Sequence, residues 1–117
     1  MILAVLDDLM FSSKIKTAAN QLGVDLRFSR SLDGALDTMR KNPTTLVLFD
    51  LNNQRLDPLA IVAAMHADPA LASIPTLGFA SHVHTEVIEA ARRAGVDEVL
   101  ARSAFSQRLP EILSRGK

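Results

Sequence analysis

Leu46-Val47-Leu48-Phe49-Asp50 is a run of four apolar residues stopped by a carboxylate, and the polar stretch Asn52-Asn53-Gln54-Arg55 follows it. An unbroken apolar run of this length is how a β-strand buried on both faces reads. Ile2-Leu3-Ala4-Val5-Leu6, closed by Asp7-Asp8, has the same form. Pro75-Thr76-Leu77-Gly78-Phe79-Ala80 and the short Glu98-Val99-Leu100-Ala101 supply two more strands. Val24-Asp25-Leu26-Arg27-Phe28 alternates with period two, as a less buried strand does.

Amphipathic stretches separate these runs. Ser12 to Leu22 carries Ile15, Ala18, Ala19 and Leu22 at helical spacing, and Gly23 stands where a helix C-terminal glycine belongs. Ser31 caps a second helix, with Leu32, Ala35, Leu36 and Met39 on one face and Asn42-Pro43 as its stop. Asp57-Pro58 opens a third that runs to about Ala67, because aspartate accepts from free backbone N–H groups and proline is tolerated in a first turn. Thr85 to Ala94, closed by Gly95, is a fourth helix. Phe105 to about Ser114 is the last, with Leu109, Ile112 and Leu113 on one side and Pro110 in its opening turns.

The order is (βα)5. Parallel strands joined by helical crossovers make an α/β, doubly wound, five-stranded parallel sheet covered on both faces, here as one domain over residues 1–117. Such sheets place their sites beyond the carboxyl ends of the strands, where the strand order switches. That rule singles out Asp7, Asp8, Asp50, Ala80, Ser81 and Arg102, all just past strand ends.

Composition removes several classes of function. The 117 residues are 48% hydrophobic and 22% charged, which excludes extended disorder. Thirteen basic residues balance thirteen acidic ones, so no overall field draws nucleic acid or an acidic membrane. The absence of Tyr and Trp argues against a stacking platform for single strands. The absence of Cys excludes disulfides, thiolate metal sites and cysteine nucleophiles. No apolar run approaches the roughly 20 residues of a membrane span. The opening run meets Asp7-Asp8 too soon for a signal peptide, and no basic region precedes it. A cytoplasmic location is expected, with neither nucleic acid nor membrane as partner.

If the first and third strands are neighbours, Asp7, Asp8 and Asp50 meet at one rim. Carboxylates so placed repel one another and call for a cation, and oxygen-only ligands suit Mg²⁺. The same acids serve equally as helix N-terminal partners or as solvent-facing charges. Asn52 either offers a backbone carbonyl to the cation or is an ordinary loop asparagine. Arg102 either pairs with Asp50, or with a phosphoryl group placed there, or is a surface arginine. His66, His82 and His84 lack a clear third ligand for zinc. Ser81-His82 lacks the Gly-x-Ser-x-Gly elbow of a hydrolase with a Ser–His–Asp triad. Acids, not a glycine-rich phosphate loop, follow the first strand, and neither a Walker motif nor GxGxxG is present. No enzymatic activity is expected.

Over essentially its whole length the chain resembles a receiver domain of two-component response regulators. The resemblance rests on the apolar strand ending in Asp50, on Asp57 after a short loop, and on Asp68-Pro69-Ala70-Leu71-Ala72-Ser73-Ile74-Pro75, which resembles the family's connection from third helix to fourth strand. Ala94-Gly95-Val96-Asp97 resembles the family's entry to the fifth strand. The resemblance implies a flavodoxin-like receiver fold. It implies that Asp50 is the phosphoacceptor, attacking a phosphoryl donor on a histidine kinase or phosphotransfer protein while Mg²⁺ neutralises charge. The implied metal ligands are Asp7, Asp50 and the Asn52 carbonyl. Asp7 then matches the second of the family's paired acids, with Leu6 at the first, whereas a one-residue shift would make Asp7 and Asp8 the pair.

The chain departs from the family at its switching positions. Ala80 stands at the hydroxyl position, with Ser81 next to it, and Val99 at the aromatic position. Arg102 replaces the usual lysine, Ser103 the following proline, Asn53-Gln54 the usual Met-Pro, and Pro58 a glycine. These departures point to an atypical receiver, or pseudo-receiver. It would be a protein-interaction module with weak or no phosphorylation-dependent switching. Its partner would be a downstream protein, or a second copy docked through the fourth helix, fifth strand and fifth helix. The alternative is a working receiver phosphorylated on Asp50 with Mg²⁺. A flavodoxin-like small-molecule-binding domain stands third.

Overall fold

In the computed structural model, which describes residues 1–81 and 85–116, five parallel strands form one sheet. They are β1 (Ile2–Val5), β2 (Leu26–Ser29), β3 (Leu46–Asp50), β4 (Thr76–Ala80) and β5 (Glu98–Ala101), in the order β2-β1-β3-β4-β5. The helices are α1 (Leu9–Leu22), α2 (Leu32–Lys41), α3 (Pro58–Ala67), α4 (Thr85–Ala94), α5 (Arg102–Gln107) and α6 (Leu109–Ser114), with a 3₁₀ turn over Gln54–Leu56. The expected doubly wound α/β sheet is therefore present. His82 and His84, and with them the zinc and triad readings, lie outside the described residues.

Every residue of β1, β3 and β4 is buried, while the edge strands β2 and β5 are mostly half-exposed. Two-residue alternation splits the central strands between two cores. Leu3, Val5, Val47 and Phe49 pack with Ile61 and Met65 of α3, Met39 of α2 and Ala91 of α4. Ile2, Ala4, Leu48 and Phe79 pack with Phe11 and Ile15 of α1, Phe105 of α5 and Ile112 of α6. Each such large apolar side chain removed from water contributes roughly 1.5–3 kcal/mol. Both faces of the sheet are thus covered by helices, and the strand ends are where sheets of this kind place a site.

Three boundaries differ from the sequence reading by more than one residue. The first helix begins at Leu9, not Ser12, because Asp8 is its cap and accepts from the Phe11 N–H at 3.1 Å. The second strand begins at Leu26, not Val24. Gly23 closes α1 in the left-handed conformation (φ 68°), and Val24 still donates to Ala19 at 2.9 Å. The last helix begins at Arg102 and breaks at Arg108 (φ −95°, ψ 7°) into α5 and α6. Pro110 lies in the first turn of α6, where its missing N–H is harmless, whereas inside one continuous helix it would remove a bond and clash. Among the described residues, no helix is long and apolar enough to cross a membrane.

Candidate functional site

The chain leaves β1 for one edge of the sheet and β3 for the other, so the strand order switches between these two neighbours. Asp7 and Asp8 follow β1, and Asp50 ends β3. The switch point therefore gathers all three acids at the carboxyl rim, where Asp7, Asp8, Asp50, Asn52, Asn53 and Arg55 line one open pocket.

Asp50 is 6% exposed, and its Oδ1 accepts from the Asn52 N–H at 3.0 Å. Burial pushes its carboxyl above the ordinary range, and the charges of Asp8 and Asp7 push the same way. The Asn52 N–H and the positive charge of Arg102 oppose that rise without cancelling it.

Asp7 is engaged on both oxygens. The Asn53 side-chain amide donates to Oδ1, and the Arg55 guanidinium donates to Oδ2 at 3.2 Å. Asp8 divides its oxygens between the α1 cap and Arg102, which donates to Oδ2 at 3.0 Å. The Phe11 N–H first, and Arg102 second, hold the Asp8 carboxyl below its ordinary range.

The other expected residues fall as follows. Asn52 Oδ1 accepts from the Ser81 N–H at 3.1 Å and so ties the loop after β3 to the end of β4. Ala80 ends β4 fully buried, with a methyl where the resemblance leads one to expect a hydroxyl. Val99 lies on β5 opposite Gly78 and packs against the core that contains Phe49. Arg102 opens α5 and lies 4.4 Å from the centroid of the Phe11 ring. Arg102 is thus neither a lone surface arginine nor the partner of Asp50. Its ion pair is with Asp8. His66 packs against Gly95, where its ring fills the space a Cβ would need.

Sequence reasoning missed Asn53 and Arg55. The available signal was a cation five residues past Asp50, in a loop that crosses the carboxyl rim.

The donor chemistry suits Mg²⁺: two carboxylates and the Asn52 carbonyl are hard oxygen ligands, and Mg²⁺ keeps several waters. Among the described residues, no group of three or more Asp, Glu or His side chains gathers closely enough to hold a metal unaided. A site here therefore depends on the backbone carbonyl, and on oxygens of Asp7 that already serve Asn53 and Arg55.

The sequence matches no protein-family profile, and it matches no curated protein. Solved structures do resemble it. One is a response regulator from Hahella chejuensis, 18% identical, aligned over 97% of this chain and 91% of that one, with a TM-score of 0.83. Another is the receiver domain of a sensor histidine kinase from Pseudomonas aeruginosa, with magnesium coordinated in its active-site cleft, at 20% identity, 98% and 94% coverage and a TM-score of 0.82. A third is the phosphorylated cyanobacterial phytochrome response regulator RcpA, at 23% identity, 96% and 86% coverage and a TM-score of 0.78. At these identities the likeness establishes the architecture: the chain has the flavodoxin-like fold of response-regulator receiver structures.

Proposed function

We propose that this chain is an atypical receiver module of two-component signalling. It works by protein contact, without enzymatic activity of its own, and phosphorylation-dependent switching is weak or absent. The observation that carries this reading is the state of the acids. Asp7 and Asp8 are each paired with an arginine of the same chain, and burial holds the Asp50 carboxyl above its ordinary range. Ala80 supplies no hydroxyl to hold an arriving phosphoryl group. A downstream protein, or a second copy, would read the surface of α4, β5, α5 and α6. A cytoplasmic location accords with this role.

One observation favours the second reading, a working phosphoacceptor served by a histidine kinase or phosphotransfer protein. Asp50 sits at the open rim with one oxygen oriented by the Asn52 N–H. The magnesium and phosphorylated relatives support it by analogy. Asp7, Asp50 and the Asn52 carbonyl would hold Mg²⁺, which when bound supplies charge neutralisation for the incoming phosphoryl group.

Intact mass after incubation with Mg²⁺ and acetyl phosphate, with Asp50→Asn as control, separates the two. A folded protein that gains no phosphoryl group is the expected result. Stoichiometric modification of the native chain alone, with a change in partner affinity, would establish the second reading.

A further inference from the structure

We infer that Arg55 is a built-in competitor of divalent cations for Asp7. The inference rests on the reading of this rim as a receiver-type acidic site. It concerns how the chain regulates metal entry there.

The loop after β3 is organised to deliver this cation. Asn52 is tied to the end of β4 through the Ser81 N–H. The Asn53 Oδ1 accepts from the Arg55 N–H at 3.1 Å, while the Asn53 amide donates to Asp7. Leu56, the next residue of the 3₁₀ turn, is buried among Leu51, Val62 and their neighbours. The backbone of Arg55 is therefore fixed beside the pocket, and its guanidinium closes onto Asp7 Oδ2 at 3.2 Å. A metal that takes Asp7 as ligand competes with the guanidinium and the Asn53 amide for its oxygens, and meets the positive charge of the guanidinium beside them.

The side chain of Arg55 is 85% exposed and that of Asp7 26% exposed. Displacement sends the guanidinium into water at little cost, so Arg55 lowers metal affinity without abolishing it. An exposed ion pair is weak and is screened by salt. Removing it should tighten Mg²⁺ binding by roughly two- to fivefold at low ionic strength, and by less at high.

The test is a Mg²⁺ titration of the native chain, Arg55→Ala, Arg55→Lys, Asp7→Asn and the Arg55→Ala/Asp7→Asn double variant. Amide chemical shifts at Asp7, Asn52 and Asn53 report binding and confirm folding. Arg55→Ala should bind Mg²⁺ more tightly than the native chain. Arg55→Lys should lie between the two, because it keeps the charge but not the planar donor fork. The gain should vanish in the Asp7→Asn background. Equal or weaker Mg²⁺ binding by a folded Arg55→Ala would overturn the inference. So would a gain that persists without the Asp7 carboxylate, or an absence of Mg²⁺ binding in every variant. These outcomes are independent of acetyl phosphate labelling: Asp50 could be phosphorylated whether or not Arg55 competes for Asp7, and the inference could fail while the interaction role stands.

Discussion

Arg102 donates to Asp8 Oδ2 at 3.0 Å while its guanidinium carbon lies 4.4 Å from the centroid of the Phe11 ring. Asp8 thereby joins two structures, the N-terminus of α1 and the start of α5. Asp8→Ala removes both the cap and the ion pair and should cost about 1 kcal/mol. Asp8→Asn keeps a capping oxygen and should cost only a few tenths of a kcal/mol. The pH dependence has a definite sign. The Asp8 carboxyl is lowered in the folded protein, so its stabilisation is present above the unfolded-state value near 4 and fades as pH falls through the lower folded value. Urea denaturation at neutral and acid pH should show the native advantage over Asp8→Ala shrinking in acid.

Asp50 has the opposite sign. Its carboxyl is raised by burial, so the native state binds more protons than the unfolded chain between about pH 4 and the raised folded value. Stability falls as pH rises through that window. Asp50→Asn removes the buried charge and retains an oxygen for the Asn52 N–H. The variant should be more stable than the native chain at pH 7, because the buried charge is gone. The difference should close below about pH 4. Equal stability at pH 7 would show that the carboxylate carries no penalty there.

Gly95 has φ +102°, and a Cβ built on it would lie 2.2 Å from His66 Cε1. Gly95→Ala meets both backbone strain and a clash, and should cost roughly 1–3 kcal/mol. His66→Ala alone, at an exposed site, should change stability by less than about 0.5 kcal/mol. Combining the two should recover the clash but not the strain. Thermal unfolding of the four proteins checks this, and full recovery in the double variant would remove the backbone argument.

Phe79 is fully buried between two rings. It meets Phe11 edge-on at 5.0 Å and 78°, and stacks with Phe105 at 4.5 Å and 24°. Phe79→Leu keeps most of the apolar volume and loses the ring pairs, for a cost of roughly 1–2 kcal/mol. Phe79→Ala should cost roughly 3–5 kcal/mol, comparable to much of a domain's stability. Equilibrium denaturation of both variants measures the difference.

The parts of the fold that depend on local pattern were legible in the sequence. The runs at Ile2 and Leu46 read as doubly buried strands because every position in them is buried. Gly23 and Asp57-Pro58 marked helix ends because their chemistry is local. The start of α1 was hidden: Leu9 and Met10 are 72% and 86% exposed, so its first turn carries apolar residues off the buried stripe. The break at Arg108 left only Pro110 as a trace. Asp7, Asp8 and Asp50 were found by the rule for strand ends. Their partners were not, because Asn53 and Arg55 reach Asp7 across 46 and 48 residues of chain. Such contacts exist only once the loops have been brought to the same rim. Arg102 likewise had a choice of acids, and the Phe11 ring beneath it lies on the side of Asp8.

The ring cluster has an optical consequence. The chain has five phenylalanines and neither tyrosine nor tryptophan, so phenylalanine alone carries its near-ultraviolet spectrum. Three of the five, Phe11, Phe79 and Phe105, are in mutual contact, and Arg102 sits directly on one of them. At these separations the rings should act together as an intrinsic near-ultraviolet probe close to Asp8, which Arg102 also contacts. An event that lifts the guanidinium from Phe11 should change the near-ultraviolet dichroism, so that the protein reports it without a label.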